Sequence, residues 1–212
     1  DLDSNIRAIA YNCAENLGTL KVEDYRDFIK KITIENKQQL SKLGIRAGAK
    51  FFFMPNLMKK KPIELSSILW CVFNNLNTNY KIPLPSNGRV SFISNVNMPK
   101  SYWTAIGYIC INKFVFRVDV FEKIFYLARQ KIKYGPFLES SDLMNPIGCN
   151  GDQLNDILNF CGYETISLIN NKKLYFFKQK KNEIKKTKNN KISRKINKNK
   201  KNESLPTKID PD

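Results

Sequence analysis

Gly44, Arg46, Gly48 and Lys50 fall within seven residues, and an unbroken apolar run, Phe51–Met54, follows them directly. Pro55 stops the run, and Lys59, Lys60 and Lys61 stand before Pro62. Glycines at this spacing admit positive φ or close approach of a second group. With basic side chains beside them, the chemistry on offer is contact with an anion. The fuller pattern of a phosphate-cradling loop, G-x-x-x-x-G-K-[ST], is missing, as are D-E-x-x and G-x-G-x-x-G. Gly44–Gly48 is therefore expected not to bind nucleotide phosphate. The same stretch reads as a turn, a buried strand and a basic segment leading into a helix.

Other catalytic chemistries are poorly supplied. The chain has no histidine, which removes Ser-His-Asp and Cys-His nucleophilic catalysis. Its five cysteines are scattered without a C-x-x-C pair, so zinc is disfavoured and small buried thiols in a reducing compartment are expected. The carboxylates show no acid/base dyad; Asp119 and Asp152 read as helix caps. No catalytic, cofactor-binding or metal-binding residue is assigned.

Basic residues interleaved with aromatics form the remaining signal. Arg46, Lys50, Lys59, Lys60 and Lys61 flank the apolar run, and Arg89, Lys100 and Tyr102-Trp103 lie further on. Aromatics beside cations can stack single-stranded bases, although Phe51–Phe53 and Trp103 read first as core. The formal charge is +17. Residues 178–202 hold twelve Lys or Arg against Glu183 alone, among them Lys178, Lys180, Lys181, Lys185 and Lys186, yet residues 1–177 also stay basic. Such charge favours a polyanion partner bound with counterion release. Codon bias competes as an explanation, because Asn and Ile are frequent alongside Lys.

Apolar periodicity supplies the elements. A helix is expected over 4–17, capped by Ser4 and stopped by Gly18, and another over 22–41. Pro62 should open a helix to about Asn75 that buries Ile63, Ile68, Leu69, Val72 and Phe73. Arg89–Ile93 reads as a strand, and residues from Pro99 to Gly107 as a short helix. Tyr108–Ile111 and Phe114–Val118 read as a hairpin around Asn112-Lys113. Asp119, with Glu122 three residues on, should cap the next helix, which Tyr134-Gly135-Pro136 breaks. Asn150 and Asp152 should cap a last helix with the stripe Leu154, Ile157, Leu158 and Cys161, closed by Gly162. A hairpin around Asn170-Asn171 follows, giving the helix-then-wing order of a winged helix. Beyond Phe177 the periodicity ends, and residues 179–212 are expected to be disordered. The fold class is α+β, mainly helical: a helical module with short β-hairpins over 1–136, a winged-helix-like unit over 137–178, and a disordered Lys-rich tail. No apolar run is long enough for a membrane span, so a cytoplasmic protein is expected.

Four ordered segments carry a resemblance. They are Asn5–Leu20; Leu43–Pro62; Pro99–Tyr108 with Val115–Asp119; and Met144–Leu154 with Leu158–Tyr163. Together they resemble the C-terminal region of alphaproteobacterial helicases related to the mitochondrial RNA-degradosome helicase, over about residues 5–165. Relatives have a hydrophobic pair where this chain has Asn56-Leu57, and fewer lysines after it. The resemblance implies a module packed behind two RecA-like lobes, helping to enclose a translocating strand of RNA or DNA. ATP and Mg would belong to those upstream lobes of the same polypeptide, and none of their motifs maps onto this chain. The start at Asp1 suggests a fragment. The alternative is a free-standing basic nucleic-acid-binding protein without enzymatic activity.

Overall fold

The computed structural model describes residues 3–76, 82–86, 88–168 and 172–177. The expected disorder of 179–212, the tail lysines Lys178, Lys180, Lys181, Lys185 and Lys186, and the Asn170-Asn171 turn lie outside them. Residues 1–177 group as one compact unit.

The architecture is α+β and mainly helical, with three small antiparallel sheets among the described residues. Helix α1 (Ser4–Glu15) leads to strand β1 (Thr19–Lys21). Asp3 rather than Ser4 is its N-cap, accepting from the Asn5 N–H at 2.7 Å. The expected helix over 22–41 is three pieces: a 3-10 turn (Val22–Tyr25), α2 (Arg26–Lys30) and α3 (Ile34–Lys42). Thr33 causes the interruption. Its hydroxyl accepts from the Asn36 N–H while Asn36 reaches back to the Thr33 N–H, so α3 starts with its own capping box.

Strands β2 (Arg46–Ala47) and β3 (Phe51–Phe53) complete the first sheet, with β3 central between β1 and β2. Its register sets Phe52 opposite Leu20 and Ala47. Side chains alternate across a strand, so the three phenylalanines enter two cores. Phe52 joins Ile6, Ile9, Cys13 and Leu40; Phe51 and Phe53 join the core built on the central helix described below. Burial on both faces explains why this run does not alternate with polar residues.

A 3-10 turn (Pro55–Met58) precedes α4 (Lys60–Phe73). Pro62 is the third residue of α4, not its first. The buried side of this helix is also not the one expected. Ile63, Ser66, Ser67 and Cys71 face inward, whereas Ile68, Leu69, Val72 and Phe73 are exposed. Small side chains let α4 sit closely over α5 (Lys100–Ala105), and Trp70 meets Tyr102 edge-on at 5.3 Å.

The second sheet runs β4 (Ser91–Ile93), β6 (Phe114–Arg117), β5 (Tyr108–Ile111). Asn112 and Lys113 take φ of 47° and 69°, as a tight two-residue hairpin turn requires. Strand β6 again divides two cores: Phe114 and Phe116 face one, and Val115 packs with Tyr102 and Trp103 in the other. Helix α6 (Val118–Ile132) is the central helix, with Phe121, Ile124, Phe125 and Ala128 buried. Its N-cap position is Arg117, and Asp119 pairs with the Arg117 guanidinium instead of capping. The winged-helix-like C-terminal unit comprises β7 (Phe137–Leu138), α7 (Ser141–Met144), α8 (Gly151–Cys161), β8 (Glu164–Ser167) and β9 (Lys173–Phe176). Asn150 caps α8 through a capping box with Gln153, Asp152 binds Lys173 instead, and Gly162 closes the helix at φ 95°. One apolar core runs from Phe51 through α6 to Leu154 and Tyr175, across residues 136 and 137.

Candidate nucleic-acid interface

The glycine turn does hold an anion, and the anion is the protein's own. The carboxylate of Glu122 accepts from the backbone N–H of Ala49 at 2.7 Å and from those of Lys50 and Phe51 at 2.8 Å each. Glu122 is 8% exposed. Burial raises its carboxyl above the ordinary range, while the three N–H groups and the Lys50 ammonium pull the other way. Gly48 is required by this packing. A Cβ there would lie 2.4 Å from Glu122 Cδ, inside any tolerable contact. The Gly48 N–H closes the turn onto the Phe51 carbonyl at 2.8 Å. With its amides taken, the turn cannot also cradle an external phosphate, which is the physical reason it is not a nucleotide loop.

The sequence offered Glu122 only as the capping partner of Asp119; the structure gives it no capping role and sends it to the Ala49–Phe51 amides, although a signal for its burial was present. Val118, Phe121, Glu122 and Phe125 recur at i, i+3, i+4 and i+7, so a carboxylate stands on an apolar stripe. A buried carboxylate there demands buried donors.

The turn directs its two cations differently. Arg46 is exposed on edge strand β2. The Lys50 ammonium lies 5.7 Å from the Phe125 ring centroid, folded back against α6.

Seven residues beyond β3 the situation reverses. Helix α4 begins at Lys60 with no side-chain cap, no acidic residue in its first turn, and exposed Lys59, Lys60 and Lys61. Cations at the positive end of a helix are unfavourable by about 0.3–1 kcal/mol each. Lys59 and Lys60 line a pocket of about 210 Å³ with Ser86, Gly88, Tyr108 and Arg117. The Tyr108 hydroxyl donates to the Arg89 carbonyl at 2.8 Å, while the Arg89 side chain turns away to donate from Nε to the Ser91 carbonyl at 3.1 Å. Arg117 is a cation that sequence reasoning passed over; Asp119 holds it through two hydrogen bonds of 2.9 and 2.6 Å. Glu64 also lines the pocket, so its charge is mixed but in favour of anions.

The structure thus gathers Lys59 and Lys60 with Arg117, and leaves Arg89 out of that lining. It sets Lys61 at the edge of a neighbouring apolar groove, and Lys100 in a third concavity with Lys21. Tyr102 and Trp103 are 0% and 1% exposed, so they form core and no stacking platform. Among the described residues no group of three His, Cys, Asp or Glu could hold a metal ion, and no helix is long and apolar enough to cross a membrane. No protein-family model, curated protein or solved structure matches the chain.

Proposed function

We propose that this chain is an accessory C-terminal module of an ATP-dependent helicase, contacting single-stranded RNA or DNA through the start of α4. One observation carries the nucleic-acid contact. The α4 N-terminus combines three exposed lysines with the absence of a side-chain cap, beside a pocket that Lys59 and Lys60 share with Arg117. N–H groups at a helix start bind phosphate oxygens; here Lys60 and Lys61 supply them, because Pro62 has none and the Ile63 N–H bonds the Lys59 carbonyl at 3.0 Å. The helicase setting rests on the four-segment resemblance. Within it, ATP and Mg belong to RecA-like lobes outside this chain, and the Glu122-filled turn offers no place for nucleotide phosphate.

The test is fluorescence anisotropy with labelled oligo(U) and oligo(dT). Wild type should bind with micromolar or weaker affinity that falls steeply from roughly 50 to 200 mM salt. Reversing Lys59, Lys60 and Lys61 to Glu should weaken binding roughly tenfold at low salt and reduce the salt slope by about 2. Unchanged binding would return these lysines to plain solvated surface. ATP turnover by the purified chain would overturn the accessory reading.

A further inference from the structure

The stacking aromatics expected at Tyr102-Trp103 are core, but exposed rings beside cations do occur, on the outer face of α6. Lys123, Tyr126, Gln130 and Lys133 recur at i, i+3, i+7 and i+10, a continuous row opposite the buried Phe121, Ile124 and Ala128. Tyr134 follows at the end of the row. Tyr126 is 59% exposed and Tyr134 94%. Lys123, Arg129 and Lys133 are exposed with them. Arg129 stands beside the row, its guanidinium 5.9 Å from the Phe125 ring centroid. The Lys50 ammonium joins it there from the glycine turn, at 5.7 Å.

The charge on this face has one sign. Both carboxylates of α6 are engaged elsewhere: Asp119 by the Arg117 guanidinium, and Glu122 by the amides of Ala49, Lys50 and Phe51. From Lys123 to Tyr134 the chain carries four cations and no acid. Asp142 of α7 takes one of them, Lys131, at 3.0 Å. Lys133 donates to the neutral Gln130 carboxamide at 2.8 Å. No salt bridge engages Lys123, Arg129 or Lys133 among the described residues. Cations in the last turn complement the helix dipole. That accounts for Arg129 and Lys131, but not for Lys123 in the second turn or for two tyrosines in water. The row is also continuous with the pocket at the α4 start, because Arg117 in the wall of that pocket is the N-cap residue of α6. From Arg117 to Tyr134 the helix rises about 26 Å, room for roughly seven stacked nucleotides. We propose that the outer face of α6 is a second contact for single-stranded nucleic acid. Bases stack on Tyr126 and Tyr134, and phosphates pair with Lys123, Arg129 and Lys133. Aromatic rings between cations are how sequence-tolerant strand binding is built, whereas an acidic protein surface would use the cations and leave the rings idle. The inference rests on the nucleic-acid reading of the α4 start and extends it along the strand.

The test is oligo(U) anisotropy with the full chain, three α6 variants and the Lys59–Lys61 reversal. Tyr126→Ala with Tyr134→Ala should weaken binding at least tenfold and leave the salt slope unchanged, because stacking releases no counterions. Tyr126→Phe with Tyr134→Phe keeps both rings and should bind like wild type. Lys123→Gln with Lys133→Gln should lower the salt slope by about 1. These side chains are exposed, so the thermal melts should not change. Poly-Glu should displace oligo(U) at least tenfold less effectively than unlabelled oligo(U) of equal charge. Wild-type affinity in the Ala variant, or equal weakening of the Ala and Phe variants, overturns the α6 contact. An unchanged slope in Lys123→Gln with Lys133→Gln does the same. So does equal displacement by poly-Glu, which would assign the face to an acidic protein surface. Loss in the α6 variants with none in the Lys59–Lys61 reversal would keep this contact and overturn the α4 reading. The converse would overturn this contact alone, and no binding by wild type would overturn both.

Discussion

Two places ten residues apart present backbone N–H groups to an anion, and they meet opposite fates. At Gly48–Phe51 the amides of Ala49, Lys50 and Phe51 close on Glu122, from a helix 71 residues away in sequence, and the site is filled and buried. At Lys59–Lys61 the α4 start carries three exposed lysines and no side-chain cap. The first arrangement builds the fold, since it ties the central strand β3 to the central helix α6. The second costs helix stability, which is why we propose the anion contact there. A glycine turn flanked by cations is thus no guide by itself to ligand binding; what matters is whether the protein supplies its own anion.

The sharpest way to break this contrast is to empty the filled site. Glu122→Ala leaves three buried N–H groups without an acceptor and a void behind them. We expect a loss of about 3 kcal/mol or more, read as a fall in Tm of roughly 6–12 °C. A loss under about 1 kcal/mol would show that the carboxylate is not what holds the turn. Next comes Gly48→Ala, whose Cβ would push Glu122 out of the nest. It should cost about 2 kcal/mol alone and much less in the Glu122→Ala background, because both changes break one contact. Additive losses in urea denaturation would separate the glycine from the carboxylate.

The open site should behave in the reverse manner. Changing Lys59, Lys60 and Lys61 together to Glu places acids at the helix start, where they are favourable by about 0.3–1 kcal/mol each. The triple variant should melt no lower than wild type while losing nucleic-acid affinity. Equal loss of Tm and affinity would mean the lysines serve the fold. The smallest expected effect is in pH. Because the folded state holds the Glu122 proton more tightly than the unfolded chain, that contribution to stability is complete below the ordinary carboxyl value. It is lost as pH rises through the raised value. The melting temperature of wild type minus that of Glu122→Gln should therefore decline from about pH 4 to pH 7. A rising difference would mean the three N–H groups outweigh burial.

Features made by neighbouring residues were legible in the sequence. Asn150 and Gly162 delimit α8, Asn112-Lys113 turns the β5–β6 hairpin, and the run Phe51–Phe53 is a buried strand. The fold class follows from such pieces. What was illegible depends on partners distant in sequence. Nothing near Glu122 reveals that Ala49–Phe51 will receive it. Nothing in the α4 stripe reveals that Ser66, Ser67 and Cys71 fit the available space while Leu69 and Phe73 do not. The break at Thr33 lay between, because its Asn36 partner stands where the common capping box has Glu or Gln. For the candidate site, residue types were legible and their grouping was not: Lys59 and Lys60 share a pocket with Arg117, whereas Arg89 turns to the Ser91 carbonyl and Lys50 folds onto Phe125.

The measurement closest to the central claim is the salt dependence of oligo(U) binding by the full chain, compared among wild type, Arg46→Glu and the Lys59–Lys61 triple reversal. The account predicts that the triple variant loses about 2 from the slope and roughly tenfold in affinity at 50 mM salt, and that Arg46→Glu loses less. Identical slopes for wild type and the triple variant would contradict it.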